Sequence, residues 1–289
     1  MYAITGITGQ VGGATARALL AAGQSVRAIV RSAEKGEAWA KLGCEVAIAE
    51  ATDVPALTKA FTGADAVFFM TPPNFDPEPG FPGVLRVVAA AMAAVEAAQP
   101  GRLVYLSTVG AQATEPNLLT NATLAEARLR TLAIPTAFLR AAWFMENATW
   151  DVAAAKTGTV PSFLQPLDHP IPMVATADIG QTAADLLRDH WIGNRIVELE
   201  GPSRYSANDI ATGFADALGH PVRMQAVPRE TWEPLFRSQG AQYPMPRIRM
   251  LDGFNEGWID FEGGAAEHRT GPTPLDTVLR DLVAKAWEN

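Results

Sequence analysis

Gly6-Ile7-Thr8-Gly9-Gln10-Val11-Gly12-Gly13 stands between a short apolar run, residues 1–5, and a helical pattern over 10–22 that Gly23 closes. Each glycine has its own task. Gly6 allows the tight turn out of a strand, Gly9 lets the backbone come close to a ligand, and Gly12 lets the helix pack tightly on the strand. The helix that follows offers free N–H groups and the positive end of its dipole, a combination suited to a pyrophosphate. With Thr8, Gln10 and Val11 completing the turn, a strand–loop–helix of this kind predicts a dinucleotide site.

The choice of dinucleotide is written at the end of the next apolar run. A site for NAD(H) places an acidic residue there, about 20 residues past the glycines, on the ribose 2′-hydroxyl. Val26-Arg27-Ala28-Ile29-Val30-Arg31-Ser32 has no acid at that point and ends in Arg31. A guanidinium forks onto a 2′-phosphate and stacks on adenine, so NADP(H) is expected in preference to NAD(H). Lys35 is a second cation within reach, and a solvated surface arginine is the plain alternative. Asp53, after the third apolar run, is either an adenine contact or the N-cap of the following helix.

The elements that must position these residues are short apolar runs alternating with helical patterns. Strands are predicted over 25–30, 45–49, 66–70, 103–107 and 136–140, with helices over 33–42, 54–61, 84–98 and 123–132. That alternation gives an α/β fold, a Rossmann-type doubly wound parallel sheet with helices on both faces. Beyond Trp143 the rhythm loosens. Strands over 171–174 and 195–199 and helices over 176–189, 206–218 and 273–287 are legible there; residues 228–271 have no clear order. The expected division is a nucleotide-binding domain, 1–150, and a smaller C-terminal α/β lobe, 151–289, interleaved with elements returning to the first domain.

Several segments coincide in order and spacing: Gly6-Ile-Thr-Gly-Gln-Val-Gly12, Val30-Arg31-Ser32 and Phe68-Phe69-Met70-Thr71-Pro72-Pro73. Leu103-Val-Tyr-Leu-Ser-Thr108 and Leu139-Arg-Ala-Ala-Trp143-Phe144-Met145-Glu146-Asn147 continue the set. Together they resemble the NmrA-like family of atypical short-chain dehydrogenases over nearly the whole chain. The resemblance implies a Rossmann fold, an NAD(P) site and a small C-terminal lobe. It also implies that Met70, Thr71 and Pro72 run along the cofactor, with Ser107 and Thr108 at the adjoining strand end. Trp143, Phe144 and Asn147 would line the nicotinamide and substrate pocket; large aromatics read by themselves are core residues. The loop over 71–83 carries Pro72, Pro73, Pro77, Pro79 and Pro82, which makes it a stiff wall over the site or a connector.

What the chain lacks narrows the reaction. Ordinary short-chain dehydrogenases reduce carbonyls with a Tyr-x-x-x-Lys pair, and none of Tyr2, Tyr105, Tyr205 and Tyr243 has a lysine four residues on. The stretch Asn121–Glu126, where related reductases often carry a lysine or histidine, has neither. Ser107, Thr108, Tyr105 and Asn121 can orient a substrate, but none is an evident acid at neutral pH. Hydride transfer to a ketone makes an alkoxide that needs a proton. An iminium ion needs none, and a quinone yields a delocalised phenolate. The expected activity is therefore NADPH-dependent reduction of a quinone, iminium or enone. The alternative is a non-catalytic NADP(H) sensor that binds a partner protein, with the aromatics between Trp232 and Phe261 as its surface.

Bulk composition excludes other classes. The net charge is −8 with no basic patch, so no nucleic acid partner is expected. The single cysteine, Cys44, allows no internal disulfide, and the scattered His169, His190, His220 and His268 lack ligand spacing for a metal. No basic stretch precedes an apolar one near the start, and the longest apolar run, 84–98, is too short to span a bilayer. A soluble, cytoplasmic protein without a membrane partner is expected, as a possible homodimer.

Overall fold

The computed structural model describes residues 1–288. Its first half alternates strand and helix: β1 (Tyr2–Ile4), α1 (Gln10–Ala21), β2 (Val26–Val30), α2 (Ala33–Lys41), β3 (Glu45–Ile48) and α3 (Val54–Phe61). Then come β4 (Ala66–Phe69), α4 (Pro82–Ala98), β5 (Leu103–Thr108), α5 (Thr120–Leu129) and β6 (Thr136–Ala141). The second half opens with β7 (Trp143–Phe144), a 3-10 helix (Met145–Asp151), α6 (Val152–Ala155), β8 (Thr159–Ser162), β9 (Ile171–Val174) and α7 (Thr176–Arg188). It continues through β10 (Asn194–Glu200), β11 (Arg204–Tyr205), α8 (Ala207–Leu218) and β12 (Arg223–Ala226) to a 3-10 turn (Arg229–Thr231). Helices α9 (Trp232–Ser238) and α10 (Met245–Glu256), strand β13 (Glu267–Thr270) and helix α11 (Leu275–Glu288) end the described chain.

Eight strands form one sheet in the order β13-β10-β6-β5-β4-β1-β2-β3, and every pairing is parallel. Side-chain alternation explains how one sheet serves two helical layers. On β4, Phe68 enters the cluster beneath α1 and α7 with Ile4, Leu19 and Ile179. Its neighbours Val67 and Phe69 enter the opposite cluster with Phe61, Val88 and Leu129 from α3, α4 and α5. Helices α1 and α7 cross so closely that a Cβ on Gly180 would lie 2.7 Å from the Thr15 nitrogen. A third cluster, with Phe214, Trp232, Phe236 and Phe254 at its centre, is built from later elements over the carboxyl ends of the strands.

Predicted boundaries differ where local hydrogen bonds intervene. The helix expected over 123–132 lies at Thr120–Leu129 because the Asn117 side chain accepts the Leu119 N–H at 2.7 Å and starts the turn earlier. The unreadable stretch holds α9, α10 and β13. Pro234 and Pro246 fall in first helical turns, where proline is tolerated although it signals a break in sequence. The polar β13 pairs along only one edge of the sheet. No helix among the described residues is long and apolar enough to cross a membrane.

Candidate active site

Strands β1 and β4 are adjacent, yet β1 connects onward to β2 on one side and β4 to β5 on the other. Their carboxyl ends therefore diverge into a crevice, the place where open parallel sheets bind ligands. The glycine loop forms one lip. Gly6 has φ +62° in the left-handed region, and a Cβ there would meet the Met70 Sδ at 2.5 Å. A Cβ on Gly12 would collide with the Gly6 carbonyl oxygen, whereas one on Gly9 would meet only that oxygen at 3.3 Å. Gly12 is thus filled space inside the fold, and Gly9 borders open space. Gly9 is also the N-cap of α1 and brings no capping side chain, so the first N–H groups of the helix are left for a ligand. Thr8, Gly9 and Gln10 are exposed at this lip, while Val11 is core. A cradle with this open volume and these donors fits a pyrophosphate.

The other lip follows β4. Met70 is half-buried, and its N–H donates to the Thr5 hydroxyl at 3.1 Å; Thr71 and the exposed Pro72 lead into the proline-rich loop. Phe81, with φ 55°, turns that loop into α4, and Pro82 occupies the first turn. Across the crevice, Arg31 follows β2 directly. It is exposed and, among the described residues, has no hydrogen-bond or ion-pair partner; Lys35 is exposed one helical turn further on. Asp53 caps α3 by accepting the Ala56 N–H at 3.0 Å, so of its two expected roles the cap is the one in place.

The adjoining strand end divides its hydroxyls. Ser107 is buried and donates to Glu126 at 2.6 Å, which commits it to an internal network and not to the crevice. Arg140 completes that network, forking onto Glu126 at 2.9 and 2.8 Å and reaching Glu262 at 2.6 Å. The buried arginine and hydroxyl hold the Glu126 carboxyl below its ordinary value even though burial pushes it up. Thr108, one residue further, lines a cavity of about 660 Å³. Trp143, Phe144 and Asn147 line the same cavity, so the structure brings together the three residues expected at the pocket. Trp143 stands edge-on to Phe254 with ring centroids 5.2 Å apart, and the pairing of β7 with β9 fixes its backbone.

Candidate proton donors sort clearly. Tyr105 is 1% exposed and packed between Phe69 and Phe138; burial pushes its phenol far above the ordinary range. Asn121 donates to the Leu118 carbonyl in the turn that starts α5 and is not part of the cavity wall. Asp151 is part of that wall. It stands at the N-cap position of α6 but makes no capping hydrogen bond, and burial alone raises its carboxyl to about 6. Asp151 and Arg247 are the cavity's two charged residues, and no ion pair joins them among the described residues. Phe75 of the proline-rich loop also lines the cavity, edge-on to Trp150 with ring centroids 6.2 Å apart. Among the described residues no group of three or more His, Cys, Asp and Glu is placed to hold a metal ion.

The profile of the NmrA-like family matches residues 2–256. The chain belongs to the NmrA-like family. A (4-alkanoyl-5-oxo-2,5-dihydrofuran-3-yl)methyl phosphate reductase of Streptomyces griseus is 30% identical over 230 residues, 78% of this chain and 76% of that protein. Quinone oxidoreductase 2 of Escherichia coli is 26% identical over 270 residues, 92% of this chain and 88% of that protein. Among solved structures, the Citrobacter sp. triphenylmethane reductase complexed with NADP(H) superimposes with a TM-score of 0.81 at 22% identity, covering 98% of this chain and 100% of that one. At that identity the likeness shows the fold.

In this NmrA-like chain the residues that sequence reasoning missed are Asp151, Arg247 and Phe75. Asp151 follows a tryptophan in a stretch without periodicity, and Arg247 sits in the stretch whose order is illegible. One expectation fails outright. The aromatics offered as a partner-binding surface include Trp232, Phe236 and Phe254, which are 0%, 1% and 2% exposed and form the core of the later lobe. Large rings bury themselves when a cluster is available, even where their sequence neighbours are polar.

Proposed function

We propose that this chain is an NADPH-dependent reductase of an electrophilic acceptor of the quinone, iminium or enone kind, with residues 1–150 holding the dinucleotide. Residues 151–289 share the wall of the acceptor site with the end of that domain. The observation that carries this reading is that two features share the carboxyl end of the sheet. An anion-binding glycine loop lies at the β1/β4 crevice, and a largely apolar, aromatic-walled cavity lies beside it at the ends of β5 and β6. The relatives' names point the same way, since a quinone and an alkanoyl dihydrofuranone are both conjugated, electron-poor acceptors. Arg31, exposed and unpaired where NAD(H) sites place an acid, favours the 2′-phosphate of NADP(H).

The bound reduced nicotinamide supplies a hydride. The chain's residues do the rest. Trp143, Phe144 and Phe254 exclude water and present flat faces to a flat acceptor. No tyrosine–lysine pair serves as acid, and Tyr105 is sealed in the core. Asp151 takes that place: it lines the cavity, and burial raises its carboxyl to about 6, which leaves a minor protonated fraction at neutral pH and a larger one below it. This proposal departs from the reading of the sequence alone, in which no proton donor is evident.

The test is the decay of NADPH absorbance with purified protein against a panel of quinones, cyclic iminium ions, enones and simple ketones. Reduction of the first three kinds is expected, with simple ketones slower because no conjugation spreads the charge that hydride transfer leaves on oxygen. A protein that oxidises NADPH with none of them, although it binds the cofactor, would return the sensor reading to first place.

A further inference from the structure

The geometry points to a subsite for an acidic group on the acceptor, with Arg247 as the residue that binds it. The acceptor would carry a carboxylate, sulfonate or phosphate on an aromatic or alkyl body. This deepens the reductase reading, since it names the substrate class of the same cavity.

Arg247 lies in the first turn of α10, on the wall shared by the large cavity and a smaller recess of about 260 Å³. It is half-buried, and its guanidinium lies 4.3 Å from the centre of the Phe236 ring. Among the described residues it is the one arginine that is not exposed and still has neither a hydrogen bond nor an ion pair. The comparison within the chain is direct. Arg27, Arg130, Arg140, Arg195, Arg249 and Arg269 are also shielded from solvent, and each meets a carboxylate. Arg102 donates to the Leu187 carbonyl.

A guanidinium removed from water without an acceptor costs free energy, and burial holds Arg247 below its ordinary pKa for that reason. Its place in a first helical turn adds to the cost, because the helix dipole disfavours a cation there. Asp and Glu number 31 against 23 Lys and Arg, so a carboxylate partner would have been easy to provide. The nearest acidic side chain of the recess, Asp76, is already occupied by the N–H groups of Gln242 and Tyr243. Arg247 is left with its ring contact and an open cavity. A planar fork of donors at the edge of apolar walls matches a flat ligand with an oxyanion at one end.

Binding, not turnover, tests this. Naphthalene-2-carboxylate and its neutral amide are titrated calorimetrically into the protein saturated with NADP+. The wild type is expected to bind the carboxylate roughly tenfold to a hundredfold more tightly, the range for a charge-assisted hydrogen bond. Arg247→Met should erase the preference, and Arg247→Lys should keep part of it. Equal binding of the two ligands by the wild type, or a preference that persists in Arg247→Met, overturns the subsite. The readout needs no catalysis. A protein with the preference but no NADPH oxidation would overturn the reductase reading alone. One that reduces quinones without the preference would overturn the subsite alone.

Discussion

The carboxylate of Asp76 accepts the backbone N–H of Tyr243 at 2.6 Å and that of Gln242 at 2.8 Å. This joins the loop after β4, which bears Phe75, to the segment that leads into α10, which bears Arg247. The wall of the cavity is therefore fastened across 167 positions of sequence by one side chain.

Removing that fastening should loosen the acceptor site and spare the cofactor site. Asp76→Ala is expected to raise the acceptor KM several-fold and to cost about 1–2 kcal/mol of stability, as for charged hydrogen bonds at a half-exposed position. NADPH affinity measured by calorimetry should not change. Equal weakening of cofactor and acceptor would show that the loop belongs to the nucleotide site instead.

Arg31→Ala separates the two dinucleotides. NADPH binding should weaken by about 1.5–3 kcal/mol, the value of a charge-assisted contact, while NADH binding stays within error. An equal loss for both cofactors would remove Arg31 from the 2′-phosphate.

The glycines of the loop should fail in different ways. Gly9 borders open space, so Gly9→Val is expected to abolish NADPH binding with a melting temperature close to wild type. Gly12→Ala drives a Cβ into the Gly6 carbonyl, so its main effect should be on stability. Normal NADPH binding by Gly9→Val would end the phosphate-cradle assignment.

Asp151 makes opposite demands on activity and stability. With its carboxyl near pH 6, the proton-donating form is depleted as pH rises through that value, and turnover of quinones and enones should fall with it. Asp151→Asn should lose this limb of the profile and roughly 10²–10⁴ in rate, whereas Tyr105→Phe should change little. For stability, the folded carboxyl lies above its unfolded value of 3.8, so burial favours the protonated form. That contribution is present in full below the unfolded value and is lost as pH rises through about 6. Asp151→Asn should thus exceed the wild type by roughly 3 kcal/mol at pH 7.5 and match it below about pH 3. A rate profile that is flat across pH 6 in the wild type would rule Asp151 out as the donor.

The main sheet and its glycine loop were legible because local physics writes them. Short apolar runs such as β4, tight turns at Gly6 and helix starts depend on neighbours a few positions away, and such neighbours are in the sequence. The later strands were less so. The register of β13 is set by β10 across the sheet, and nothing in the polar run Glu267-His268-Arg269-Thr270 announces it.

The acceptor cavity is the extreme case. The sequence by itself determined a parallel α/β fold, a glycine loop between the first strand and helix, and a cation in place of the acid that an NAD(H) site carries. Tertiary structure decided that Ser107 serves a buried ion network, that Trp232 and Phe236 are core, and that Asp151 and Arg247 share one cavity. The physical reason is that the role of each side chain depends on the partners it finds or lacks. A missing partner is a property of space around a side chain, and it exists only once distant segments have closed around it.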